Sequence, residues 1–149
     1  MYKTKSNEMQ KLLFLFLFIF SMNVKAQNWN FNYEKSLELA SQESKNIILV
    51  FSGSDWCGPC IKLDNEIFQS VDFINYANKN WVLLKADFPK KKNNKLSKEQ
   101  QNHNDMLAEK YKATFPLIVV LDSKGNVLGK SGYKKYSPKE FIEHLVNFE

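Results

Sequence analysis

Arginine is missing: all 21 basic residues are lysine. The chain therefore lacks the planar guanidinium fork that grips phosphate and reads guanine edges, which argues against a nucleic-acid partner. Histidine is scarce. His103 and His144 have no ligand spacing to each other or to a cysteine, and a tetrahedral zinc site needs four ligands, so no metal is expected. Cysteine stops at Cys57 and Cys60. A bridge between residues so close in sequence removes little entropy from the unfolded chain, so it would be a poor structural staple. Ile61, not histidine, follows Cys60, and this excludes c-type haem attachment; no other cofactor is implied. Long apolar runs are missing too: Leu12 to Phe20 falls well short of the roughly 20 residues that span a bilayer.

That short run has its own meaning. Lys3, Lys5 and Lys11 precede it and small residues follow, the pattern of a secretory signal peptide. Val24 and Ala26 occupy the minus-three and minus-one positions of a cut after Ala26, with Lys25 between them. The expected division is a signal peptide over 1–26 and one exported domain over 27–149, with the bacterial periplasm as destination. No cysteine stands at the cut to carry a lipid. The leader holds four lysines against Glu8, a net of +3, so about +2 of the chain's +5 belongs to the domain. The run "PKKKNNK", Pro89 to Lys95, reads as a solvated charge run in a polar loop. With no repeat or linker, one compact domain acting as a monomer is expected.

The domain alternates helix and strand. "YEKSLELASQESK" places Tyr33, Leu37, Ala40 and Ser44 on one helical face behind an Asn32 cap. "NIILVFS" and "WVLLKADF" are short apolar runs rich in β-branched and aromatic residues, as in strands buried on both faces. Between them "CGPCIKLDNEIFQS" reads as a helix offering Ile61, Leu63, Ile67 and Phe68 to the core, and Ser70 caps a further short helix. Ser97 and Gln100 form a capping box for a helix reaching Tyr111. "PLIVVLD", the turn "DSKGN" and "VLGKSGY" make a strand hairpin. Ser137, Pro138 and Glu140 open the last helix, with Phe141, Leu145 and Phe148 on its buried face. The order implies an α/β fold: a mixed central sheet, parallel with one antiparallel edge, and helices on both faces.

Within "SGSDWCGPC" this places Cys57 at the end of the turn after a buried strand, and Cys60 one helical turn further in. Unpaired N–H groups and the positive end of the dipole at a helix start favour a thiolate at Cys57. Cys60 faces the same side and can close a disulfide with it, so the pair suits thiol–disulfide exchange: a nucleophile and a resolving thiol. Pro59 fits the first helical turn, Gly58 lets a partner's backbone approach, and Trp56 offers a flat apolar surface beside the nucleophile.

"WCGPC" after a buried strand, with "ATFP" opening a later one, resembles the thioredoxin superfamily over 32–148. The "DWC" approach is similar to exported members, in particular the C-terminal domain of the transmembrane thiol:disulfide interchange protein. The resemblance implies the thioredoxin fold, with Cys57 attacking and Cys60 resolving. It also implies a cis Pro116 packed against the pair, with the backbone of Phe115 exposed to bind a partner chain as an added strand. Two positions depart from the family. Phe51 stands where thioredoxins bury an aspartate, which passes the proton-handling role to Asp64, with Lys85 as a modulator. Asn65 replaces a helix-kinking proline and puts the bend of that helix in doubt.

The expected activity is protein-disulfide reduction in an extracytoplasmic compartment. Gly-Pro between the cysteines is the dipeptide of reducing thioredoxins, so the direction is reductive. The expected partners are disulfide-containing exported proteins and a membrane electron donor of the interchange type. A disulfide oxidase or isomerase is the alternative within the fold; a non-catalytic binding module or chaperone is the alternative outside the activity.

Overall fold

A computed structural model describes residues 27–149; the expected leader lies outside the described residues. The elements in chain order are β1 (Trp29–Asn30), α1 (Tyr33–Glu43), β2 (Asn46–Ser52), α2 (Gly58–Leu63), a π-helical turn (Asp64–Phe68) and α3 (Val71–Asn80). Then come β3 (Trp81–Asp87), a 3₁₀ turn (Lys92–Asn94), α4 (Lys98–Tyr111), β4 (Leu117–Leu121), β5 (Val127–Ser131) and α5 (Pro138–Val146). The sheet order is β1-β3-β2-β4-β5. β1, β3 and β2 run parallel, while β4 is antiparallel to β2 and β5 antiparallel to β4.

Alternation along the strands sorts two cores. Ile48, Val50, Leu83, Ile118 and Val120 face α2, α3 and α5 through Leu63, Ile67, Phe68, Phe73, Phe141 and Leu145. Ile47, Leu49, Phe51, Val82, Leu84, Val119 and Leu121 face α1 and α4 through Tyr33, Ala40, Leu107 and Tyr111. With both faces covered, the three central strands have no solvent side, which is why they read as apolar runs rather than alternating ones.

Caps set the helix starts. The side chains of Asn32, Ser70, Ser97 and Ser137 each accept from a backbone N–H of the first turn, and Ser137–Glu140 forms a complete capping box. The box expected at Ser97 is half made: Gln100 sends its amide to Phe31 O and Asn104 Oδ1 instead of back to the cap. Ser44 is a left-handed C-cap (φ 53°) rather than a core position, and the buried hydroxyl on that helix is Ser36, bonded to Asn32 O. Ile61 points outward. Phe148 is half-buried over Gly129, where any side chain would strike its ring.

After Leu63 the helix widens by one residue, with Gln69 N–H reaching Asp64 O at 2.9 Å. A π turn shifts the register of everything beyond it. Here both Ile67 and Phe68 enter the core, and the turn includes Asn65, where the family's proline is absent.

Phe68 joins three elements, its ring lying 5.4 Å from Trp29, 5.0 Å from Phe73 and 6.2 Å from Phe141. Phe68→Ala is expected to cost about 3–5 kcal/mol, read as a lower urea midpoint with unchanged slope. A loss below about 1 kcal/mol would show that these rings are not packed as described.

Candidate active site

β2 delivers the chain to the site. After Ser52, Gly53 O accepts from the N–H groups of Trp56 and Cys57 (3.2 and 2.9 Å), closing a tight turn. A side chain on Gly53 would collide with the indole of Trp56, so glycine here allows the ring to fold back over the turn. Cys57 is the N-cap of α2, and its sulfur accepts from Cys60 N–H at 3.3 Å. Cys57 and Cys60 are bonded as a disulfide, with Cα atoms 5.2 Å apart. Of the two, Cys57 is the more exposed, 6% against 2%. Gly58 and Pro59 form the exposed first turn, and nothing stands within 4 Å of where a Gly58 side chain would begin.

Trp56 is half in solvent. Its indole N–H donates to Phe88 O at 2.7 Å, and its ring meets Phe115 edge-on at 5.5 Å. The Phe115–Pro116 peptide bond is cis, and both residues are half-buried. Through the Trp56–Phe115 ring pair, the turn that opens β4 lies beside the residue preceding Cys57.

Behind the pair is a small cavity of about 130 Å³ lined by Ser52, Ser54, Cys60, Ile61, Asp64, Asn65 and Lys85. Asp64 thus shares a cavity with Cys60. Lys85 Nζ lies 3.1 Å from Asp64 Oδ1, and Gln69 Nε2 donates to Asp64 Oδ2 at 2.6 Å, a contact that the π turn makes possible. The ammonium of Lys85 also lies 4.8 Å from the ring centre of Trp29, so β1 closes this side of the site. Phe51, where thioredoxins carry an aspartate, is fully buried against Tyr111 on the α1–α4 side of the sheet. The two histidines are half-buried and bonded away from the cysteine pair. His103 Nε2 accepts from Tyr33 N–H, and His144 meets Ser131 Oγ at 2.9 Å. Burial among aromatic rings, with Lys134 nearby, holds the pKa of His144 below its ordinary value.

Two carboxylates that the motif itself does not advertise lace the site loop to the segment after β3. Asp87 accepts from Ser54 N–H (3.0 Å) and Ser54 Oγ (2.5 Å). Asp55 accepts from Lys90 N–H (2.9 Å), Lys91 N–H (3.0 Å) and Asn94 Nδ2 (2.9 Å). The partners stand 33 to 39 residues apart in sequence, so the acid "DW" approach to the cysteine is the only local hint.

The thioredoxin-like domain family matches residues 33–149. Over 101 residues the chain is 39% identical to the disulfide bond reductase DsbH of Chlamydia pneumoniae, an alignment covering 67% of this chain and 60% of that protein. The thioredoxin-related protein DsbJ of the same organism is 27% identical over 100 residues, 66% of this chain and 28% of that one. The aligned region is therefore less than two thirds of either relative's length. The solved structure of a DsbH oxidoreductase superposes with a TM-score of 0.78 at 32% identity, over 86% of this chain and 88% of that one. With a family match running from α1 to the last residue, over a mixed sheet that carries its cysteine pair at the start of α2, the chain belongs to the thioredoxin-like family.

Proposed function

We propose that the protein is a thiol–disulfide oxidoreductase that reduces disulfides in exported proteins. One observation carries this reading: two nearly buried cysteines close a disulfide at a helix start, with the more exposed sulfur on a backbone N–H. A donor aimed at Cys57 sulfur stabilises a thiolate there, as do the other unpaired N–H groups of the first turn. The helix start therefore supports Cys57 as nucleophile and the deeper position supports Cys60 as resolver.

In the reduced protein Cys57 attacks one sulfur of a client disulfide. The client bond breaks, a Cys57–client bond forms, and the departing client thiolate takes a proton from water. Cys60 then loses its proton and attacks Cys57. The Cys57–Cys60 bond forms, the mixed disulfide breaks, and the second client sulfur leaves as a thiolate. Two electrons have passed to the client, and the protein ends as a disulfide. A further cycle draws two electrons and two protons from a dithiol donor; the class that suits an exported domain is a membrane carrier of the thiol:disulfide interchange type. Trp56, Gly58 and Pro59 form the face the client meets. The backbone of Phe115, before cis Pro116, is placed to pair with the client as an added strand.

Asp64 is the group we assign to the Cys60 proton. It shares the cavity behind the pair, its carboxylate is fixed by Lys85 and Gln69, and the buried position at Phe51 offers no acid. The leader supports export, with the mature chain beginning at Gln27.

Cys60→Ser, expressed with its leader, should accumulate mixed disulfides with host proteins through Cys57. These should lie in the extracytoplasmic fraction, on a bait chain that starts at Gln27. Absence of such complexes would remove the exchange reading, and full-length bait inside the cell would remove export. Asp64→Asn should slow disulfide reduction at neutral pH by about 10²-fold, the low end of general-base help. The deficit should close as pH rises towards about 8.5, where a cysteine ionises unaided. A wild-type rate between about pH 6 and 8 would make Asp64 a surface acid only.

A further inference from the structure

The lysine run, which in sequence reads as a solvated loop, is held against Asp55 and Trp56, the two residues before Cys57. Asp55, two residues before Cys57, clamps it through the backbone N–H groups of Lys90 and Lys91 and the amide of Asn94. The Lys90 N–H bond, foremost among these, holds the Asp55 carboxyl below its ordinary pKa, so the clamp stays ionised at neutral pH. Lys90, Lys91, Lys92 and Lys95 are exposed, and Lys90 Nζ lies 3.7 Å from the centre of the Trp56 ring. The nearby acids are already engaged, Asp55 by the loop and Asp87 by Ser54. Among the described residues none of these four lysines stands in an ion pair.

Next to this positive rim is an apolar bowl of about 370 Å³, lined by Trp56, Phe88, Pro89, Lys90, Gln101 and Phe115. Phe88 and Phe115 meet edge-on at 5.2 Å, and Phe115 meets Trp56 in the same way. Its size is at the low end for ligand pockets, enough for one or two large side chains. The bowl thus adjoins the residue before Cys57 and the residue before Pro116.

We infer that the bowl and the clamped lysine loop together select clients whose reactive disulfide is flanked by an apolar side chain followed by acidic residues. This deepens the oxidoreductase reading and rests on it. The apolar side chain fills the bowl while the carboxylates meet Lys90, Lys91 and Lys92. Fixing the loop backbone presents these charges in advance, and complementary rim charges act mainly on the encounter rate and its salt dependence. Lysine, a point charge on a flexible stem, accepts carboxylates at varied positions rather than demanding one geometry, which suits a protein with several clients.

The test uses the reduced protein and two matched disulfide peptides, one with Phe-Glu-Glu beside the cysteine and one with Phe-Lys-Lys. Neutral 4,4′-dithiodipyridine serves as a separate probe of exchange itself. The acidic peptide should show a kcat/KM at least about fivefold higher at low salt, the scale of one exposed charge pair. The gap should narrow towards about 0.3 M salt as the rim charges are screened. Alanine in place of the peptide's phenylalanine should slow its reduction severalfold. Combining Lys90→Gln, Lys91→Gln and Lys92→Gln should bring the two peptides within about twofold. Equal rates for the two peptides, or a gap unmoved by salt and by the triple variant, would overturn the proposal while dithiodipyridine reduction leaves the oxidoreductase reading standing. Failure to reduce dithiodipyridine would strike that reading itself, and this inference with it.

Discussion

The site depends on where β2 ends. This strand is hydrogen-bonded to β3 on one edge and β4 on the other, and its residues Ile47 to Ser52 are buried. A strand so enclosed has no freedom to slide, because a one-residue slip would exchange its two core faces. Its last residue therefore fixes the start of the Gly53–Cys57 turn, and the turn fixes the first N–H groups of α2. The reactivity assigned to Cys57 follows from that placement, since a backbone donor on sulfur needs no charged neighbour and no flexible side chain.

A second layer of bonds turns the same anchor into a surface. Asp87 ends β3 and holds Ser54, while Asn104 of α4, itself buried, donates to Asp87 O and accepts from Gln100. Asp55 carries the connection outward to the lysine loop. The polar groups at this end of the sheet thus satisfy one another, as buried and half-buried polar groups must. The rings of Trp56, Phe88 and Phe115 are left as an apolar patch beside the disulfide. On the other side of α2, Lys85 and Asp64 leave a polar cavity at Cys60. The proposed exchange at Cys57 and release by Cys60 would use these two sides separately, the apolar one to meet a client and the polar one to take a proton.

Much of this was legible in sequence because the signals were local. The buried strands appear as apolar runs, and the helix starts appear as Asn32, Ser70, Ser97 and Ser137. The cysteine spacing names the pair without any fold. What escaped was set by distant partners. β1 is two residues long and exists through its pairing with β3, so Trp29 carries no strand signal of its own. Gln100 forms half a capping box because Phe31 O and Asn104 compete for its amide. The π turn has no marker in "DNEIF". The lysine run looked idle because its clamp, Asp55, lies 35 residues upstream of Lys90.

The central claim is that this pair gives electrons to clients rather than taking them. The most direct measurement is the equilibrium potential of Cys57–Cys60 against a glutathione buffer. The account predicts a value near that of reducing thioredoxins, about −270 mV. A value near about −120 mV, where the oxidising members of the fold lie, would contradict it and make the protein a disulfide donor.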